Sequence, residues 1–345
     1  MSENRTYAIK LTGISSLLHF LVDGLCASTL YQVFAVYAQS PHVITDVSSL
    51  TPLTCFLTYN VLAFLTQPLT GMLVDRLRRP HLLLIVSVAM LAMAVLSAGV
   101  MAAVELLRTS IVSVLVVASL LGMGNSLFHV WGGKFTATVT GNDIRALGIF
   151  VATGAMGLSV GFLFFSWPLL IAMLLAICLL TSLCLYPSNS QIRDTVQPHP
   201  IAEHRDTKHP LTTSLVVCFI VLLMMAVMLR SFVGETFSAA ITKSQAMVLA
   251  IAAVAMGGKM AGGFMARRIG IVRALVLMVL IVAVCLVFSS PAVTAIPFLG
   301  LFVVNCTMPV TLYLANFLLP GREGLAFGLL AAALMPGYLM ASLGN

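Results

Sequence analysis

Two imidazoles and a carboxyl stand at helical spacing in stretches that are otherwise apolar: His19 and Asp23, at i and i+4, and His129, four residues after Asn125. Side chains three or four positions apart share a helix face. An imidazole and a carboxyl held together away from water can take up and pass on a proton near neutrality, and groups of this kind inside apolar helices normally face a cavity or a partner. The same residues could instead form a structural hydrogen-bonded pair, and the sequence leaves both readings open. Arg230 is a cation for an anionic solute group, or else it snorkels outward beside Glu235. Lys259 lies two turns from its helix end, where snorkelling to water is the expected behaviour. Counting a rise of about 1.5 Å per residue puts Tyr59, Asn60, Asn125 and Asn305 at the depth of Asp23. The expected substrate and proton pathway is therefore His19, Asp23, Asn60, Asn125, His129, Arg230 and Asn305.

The elements that must carry these residues follow from composition. Of 345 residues, 60% are apolar and 8% are charged, with a mean hydropathy of +1.07, so the chain cannot assemble a water-soluble surface. Lipid is the implied solvent. A bilayer core of about 30 Å takes roughly 20 apolar residues per helix. Eleven such segments can be read, at 13–38, 49–74, 82–103, 110–133, 146–165, 167–186, 211–238, 244–266, 272–289, 292–318 and 324–344. The first is too long for a signal-peptide core and carries His19 and Asp23, so it is expected to stay as a mature helix. The seven Cys all fall inside these segments, which argues for packing rather than disulfides. Of the 18 Lys and Arg, only Arg108 and Lys243 fall on one side of the implied membrane. Arg230 and Lys259 lie within spans, and the rest share the side of the N-terminus. The positive-inside rule then puts the N-terminus in the cytoplasm, and a plasma (cell inner) membrane is the expected location.

A Pro-rich polar stretch at 187–210 separates residues 1–186, a six-helix half, from residues 211–345, a five-helix half, and reads as a cytoplasmic linker. Its His199, His204 and His209 are five residues apart in a Pro-broken loop, a spacing that offers no ligand geometry. The halves also repeat. At an offset of 180 residues Asn125 falls on Asn305, Val130 on Val310, Gly141 on Gly321, Gly148 on Gly328 and Gly157 on Gly337. Parallel repeats of this kind belong to transporters. The repeat calls for a twelfth helix beginning near position 347, and the chain supplies eleven.

The segment Gly71-Met72-Leu73-Val74-Asp75-Arg76-Leu77-Arg78-Arg79 joins the second and third spans, with a partial copy at Gly263–Arg268 in which Arg267 takes the place of Asp75. It resembles the loop signature of the major facilitator superfamily. Gly71 permits close helix approach, and Asp75 can pair with a basic group or a helix N-terminus and hold one conformation. The stretches His19-Phe-Leu-Val-Asp23-Gly, Gly122-Met-Gly-Asn125-Ser-Leu-Phe-His129 and Gly148-Ile-Phe-Val-Ala-Thr-Gly154-Ala-Met-Gly157 resemble the fosmidomycin-resistance type of that superfamily, although Val130 stands where the type often has Pro. The resemblance implies export of a small anionic or drug-like compound in exchange for protons. Gly71, Asp75, Arg76, Gly154 and Gly157 are the expected gating residues, with Gly148 and Gly161 completing a small-residue face.

The expected fold is thus an all-α integral membrane bundle of major-facilitator type, with two pseudo-symmetric halves. The expected function is secondary active transport: proton-coupled efflux of a small organic solute by alternating access, by a monomer, with lipid around it and no nucleic-acid partner. No nucleophile, base and oxyanion set stands at a recognisable spacing, so no enzyme is expected, and neither a cofactor nor a metal. Facilitated uptake or copper import stays open through Met224/Met228 and Met256/Met260. A membrane scaffold or sensor stays open through the absent twelfth helix.

Overall fold

The computed structural model describes residues 3–38, 50–108, 110–185, 212–241, 244–289 and 293–344. These form helices joined by turns, with no strand among them. The first group is α1 (Glu3–Ala38), α2 (Leu50–Asn60), a π-helical turn (Val61–Leu65), α3 (Gln67–Arg76), α4 (His81–Ala103), α5 (Glu105–Arg108), α6 (Ile111–Val139), α7 (Ile144–Leu163) and α8 (Trp167–Leu185). The second is α9 (Thr213–Ala239), α10 (Gln245–Ile269), α11 (Ile271–Phe288), α12 (Ala295–Leu318), α13 (Glu323–Ala332) and α14 (Leu334–Gly344). The expected linker with its three His lies outside the described residues.

Ten helical stretches among the described residues are long and apolar enough to cross a membrane, where the sequence reading expected eleven. The difference is the segment expected at 49–74, which is helical throughout but broken into α2, the π turn and α3, none of them long enough alone. Pro68, at the second position of α3, offers no N–H to the preceding turn, so the coil widens ahead of it. Thr66 Oγ1 and Gln67 Nε2 donate instead to the carbonyls of Leu62 and Ala63, at 2.5 and 2.7 Å. Pro336 breaks the last span between α13 and α14 in the same way.

Lipid-facing side chains remain bare: Leu96, Leu175, Val272 and Val287 expose 67%, 65%, 74% and 78% of their surface. That would drive aggregation in water and is what a bilayer requires. Burial is kept for the inner faces, with Trp131, Phe128, Phe150 and Leu147 essentially inaccessible. α1 lies along α7, α4 along α6, and α10 along α12, while α9 packs between α12 and α14. The early helices are tied to the late ones chiefly by α3 with α13 and α7 with α10, and also by α6 with α13 and α7 with α12. In the first two pairs the backbones meet at glycines. A Cβ on Gly71 would lie 2.6 Å from the Gly324 carbonyl carbon, one on Gly263 2.6 Å from the Ile144 oxygen, and one on Gly148 2.7 Å from the Lys259 oxygen. These approaches sit toward the end of the bundle that carries Asp75, Arg145 and Arg267. The turns at that end also correspond: Gly141 and Gly321, equivalent in the repeat, have φ of 60° and 76°, which a side chain rarely adopts.

Candidate functional site

α1 and α6 bring His19, Asp23, Asn125 and His129 into one buried cluster. Nε2 of His19 lies 3.2 Å from Asp23 Oδ2 and 2.9 Å from His129 Nε2, and His129 Nε2 lies 3.5 Å from Asp23 Oδ1. Asn125 Nδ2 donates to Asp23 Oδ1 at 3.0 Å. Nδ1 of His19 is 2.7 Å from the Phe150 carbonyl oxygen, and Nδ1 of His129 is 2.9 Å from that of Asn125. A carbonyl oxygen only accepts, so both Nδ1 atoms carry hydrogens. Were both rings neutral, two bare Nε2 lone pairs would face each other and a carboxylate with no hydrogen between them. One additional proton, shared among His19 Nε2, His129 Nε2 and Asp23, would fill that gap.

α7 closes the third side, and its sequence explains how. A Cβ on Gly154 would overlap Asp23 Oδ2 and His19 Nε2 and lie 2.9 Å from His19 Cδ2. Gly157 and Gly161 lie against the backbone carbonyls of Phe20 and Gly24 on α1. Gly154, Gly157 and Gly161 thus sit inside the α1–α7 contact, with Gly154 directly against the cluster, while Gly148 of the same expected face meets α10 and Gly71 meets α13. Replacing Gly154 with Ala is expected to cost about 1–3 kcal/mol of stability as an overpacked site. The melting temperature of the purified variant checks this.

The cluster forms one wall of a cavity of about 650 Å³. Asn60 lines it, although its Nδ2 is bound to the Phe56 carbonyl of its own helix. Arg230 from α9 and Lys259 from α10 line it too, with Ser231, Thr311 and Glu235. Arg230 is 9% exposed and its Nε, buried, makes no hydrogen bond. Neither cation appears in an ion pair among the described residues. Lys259 does not snorkel outward, contrary to expectation, because its rotational position on α10 turns it into the cavity. Asn305 is off the cavity lining: its Nδ2 bonds to the Leu301 carbonyl at 2.8 Å, and its Cβ lies beside Gly258. None of the four Met at helical spacing lines the cavity. The donor atoms of His19, Asp23 and His129 lie within 4.8 Å of one another, the described group most able to hold a metal ion.

At the end of the bundle beyond the cluster, Asp75 joins α3 to α13. Its Oδ1 accepts from the Gly324 N–H at 3.0 Å and from Lys134 Nζ at 2.9 Å, and its Oδ2 accepts from the Leu325 N–H at 2.8 Å. A carboxylate here satisfies orphan donors at a helix start and meets the positive end of the helix dipole. Arg76, expected beside it, is exposed and enters no ion pair among the described residues. At the same end Asn316 Nδ2 donates to Asn142 Oδ1 at 2.8 Å. Asp143 caps α7 and pairs with Arg145. Burial works to raise the Asp143 carboxyl, but hydrogen bonds from Arg145 and the charges of Arg145 and Arg267 hold it below its ordinary value.

Residues 12–342 match the Major Facilitator Superfamily profile. The chain belongs to that superfamily. Solved transporters of the superfamily share its fold. The E. coli fucose:proton symporter is 12% identical with a TM-score of 0.65, covering 97% of this chain and 90% of its own. A proton:xylose symporter bound to 6-bromo-6-deoxy-D-glucose is 15% identical with a TM-score of 0.68, covering 99% and 88%. The human organic anion transporter is 16% identical with a TM-score of 0.63, covering 99% and 94%. No curated protein matches the chain at the sequence level. This major facilitator chain is accordingly an integral membrane transporter. Two of its polar contributors, Lys134 as the partner of Asp75 and Lys259 in the cavity, were missed as site residues. The only sequence signal for Lys259 was a cation within a span.

Proposed function

We propose that this protein is a proton-coupled secondary transporter that carries a small organic anion by alternating access, with its proton site at His19, Asp23 and His129 and its anion site at Arg230 and Lys259. One observation carries the reading. A buried imidazole–carboxylate cluster with a place for a shared proton and a buried guanidinium with an unsatisfied N–H line one and the same cavity of small-molecule size. A scaffold has no need of such a cavity. In this reading residues 1–186 and 211–345 are the halves that rock about the cavity, and the N-terminus is cytoplasmic, in a plasma (cell inner) membrane. The glycine contacts and the Asp75 latch then close the cytoplasmic side, so the cavity belongs to an outward-facing state.

Efflux in exchange for protons is the direction that the resemblance to the fosmidomycin-resistance type implies. A second reading, symport, is favoured by one feature: the anion and proton sites are made by different residues of one cavity. A bound anion there stabilises the protonated cluster instead of competing with it. Liposomes containing the purified protein and a pH-sensitive dye separate the two. When solute leaves the lumen down its gradient, exchange acidifies the lumen and symport makes it alkaline.

Arg230→Gln removes the charge and keeps much of the volume. Binding of a small carboxylate or phosphonate, found by its thermal stabilisation of the unmodified protein, is expected to weaken roughly 10- to 100-fold, as for loss of a charge-assisted hydrogen bond. Calorimetry on the variant checks this, and unchanged affinity would remove Arg230 from the site.

A further inference from the structure

The three donors that share a proton are also arranged as a metal site. We propose that His19, Asp23 and His129 bind one divalent first-row transition-metal ion, with Zn²⁺ as its probe, in the space otherwise occupied by the shared hydrogen. The separations decide between a metal site and a mere polar cluster. Ligand atoms about 2.0–2.1 Å from one ion, at octahedral or tetrahedral angles, lie about 2.9–3.4 Å from each other. Here His19 Nε2 is 2.9 Å from His129 Nε2 and 3.2 Å from Asp23 Oδ2, while the 3.5 Å spacing runs from His129 Nε2 to the other carboxylate oxygen, Oδ1, and with one donor taken from each residue the three lie within 4.8 Å of one another. An ion between them is met by the carboxylate through both oxygens, or through one after the carboxylate turns.

The surroundings agree with that assignment. Metal-binding imidazoles nearly always donate their second N–H to an oxygen that fixes the ring. Both Nδ1 atoms do so here, to the carbonyls of Phe150 and Asn125, which leaves each Nε2 directed into the cluster. Asn125 Nδ2 steadies the carboxylate. The side chains of His19, Asp23 and His129 are only 5%, 8% and 14% exposed, yet all three residues line the cavity, so a coordination position stays open to water or solute. Two imidazoles and one carboxylate suit Zn²⁺, Co²⁺ or Ni²⁺ better than Cu⁺, which would prefer thioethers. Arg230 and Lys259 in the same cavity oppose a cation, so the ion should be held less tightly than in a closed structural zinc site. The inference shares three side chains with the proton reading but requires only their geometry. A binding measurement without any proton gradient tests it separately.

Calorimetric titration of the full chain in detergent with Zn²⁺ is expected to show one ion bound at this cluster. Binding should weaken at least about tenfold in His19→Gln and in His129→Gln. His129→Cys, which keeps a ligand atom, should retain it. Replacing His199, His204 and His209 together with Gln should leave it unchanged. In the unmodified chain, Zn²⁺ should protect His19 and His129 from diethylpyrocarbonate, read by mass spectrometry, which keeps the test valid if a variant fails to fold. Equal binding by the double variant His19→Gln/His129→Gln, loss of binding with the linker His, or unprotected His19 and His129 would overturn the proposal.

Discussion

Asp23→Asn is expected to eliminate solute-driven proton movement, reducing it to the background of protein-free liposomes, while the anion continues to bind. The reason lies in the hydrogen count of the cluster. With a carboxylate at position 23, two Nε2 atoms and the acid leave a gap that one shared proton would fill. An asparagine of the same shape can keep its oxygen on Asn125 Nδ2 and turn its own amide N–H toward His19 Nε2, 3.2 Å from the present Oδ2. The amide reaches only one of the two Nε2 atoms that face each other at 2.9 Å, but the carboxylate charge that would stabilise a proton shared there is gone, so the coupling proton loses its counter-charge. Arg230 and Lys259 are untouched by the change, so calorimetric affinity for the anion should move little. Proton movement equal to that of the unmodified protein would remove Asp23 from the pathway.

The second large effect concerns the other end of the bundle. Asp75→Ala leaves the Gly324 and Leu325 N–H groups and Lys134 Nζ without their acceptor in a region where the Asp75 side chain is only 8% exposed. Charge-assisted hydrogen bonds of this kind contribute about 2 kcal/mol to the state that makes them, which is a shift of roughly thirtyfold in a two-state equilibrium. The state with α3 packed on α13 should lose population by that factor. Hydrogen exchange at the Gly324 and Leu325 amides should accelerate accordingly, with Asp75→Asn intermediate because it retains one acceptor. Unchanged exchange would show that the glycine contact at Gly71 and Gly324 alone holds this end closed.

Much of this arrangement was legible in the sequence, for reasons that are particular to each residue. Membrane spans are read from length and apolarity, which lipid imposes on every residue, so all the crossing helices were placed to within several residues. His19 and Asp23 share a face by helical spacing alone, and depth counting brought His129 to their level. Depth carries no information about rotation, and the misplacements come from that. Asn305 matches Asn125 in depth and in the repeat, yet it points at Gly258 while Asn125 holds Asp23. Lys259 faces the cavity because of how α10 rolls against α7 and α12, a tertiary outcome. The Asp75 partners, Lys134 and the start of α13, are far away in sequence, so the motif pointed to a latch without naming what it closes on. The π turn depends on Pro68 acting together with Thr66 and Gln67, a combination that hydropathy does not register.

The most direct test of proton coupling at the cluster uses liposomes that contain the purified chain, a trapped pH-sensitive dye and an organic anion already shown to stabilise the protein thermally. With the anion concentrated inside and no pH gradient imposed, its exit is expected to acidify the lumen through the unmodified protein and to leave the pH unchanged through Asp23→Asn. Exit of the anion with no change of luminal pH in the unmodified protein, or the same pH change in both, would contradict the account.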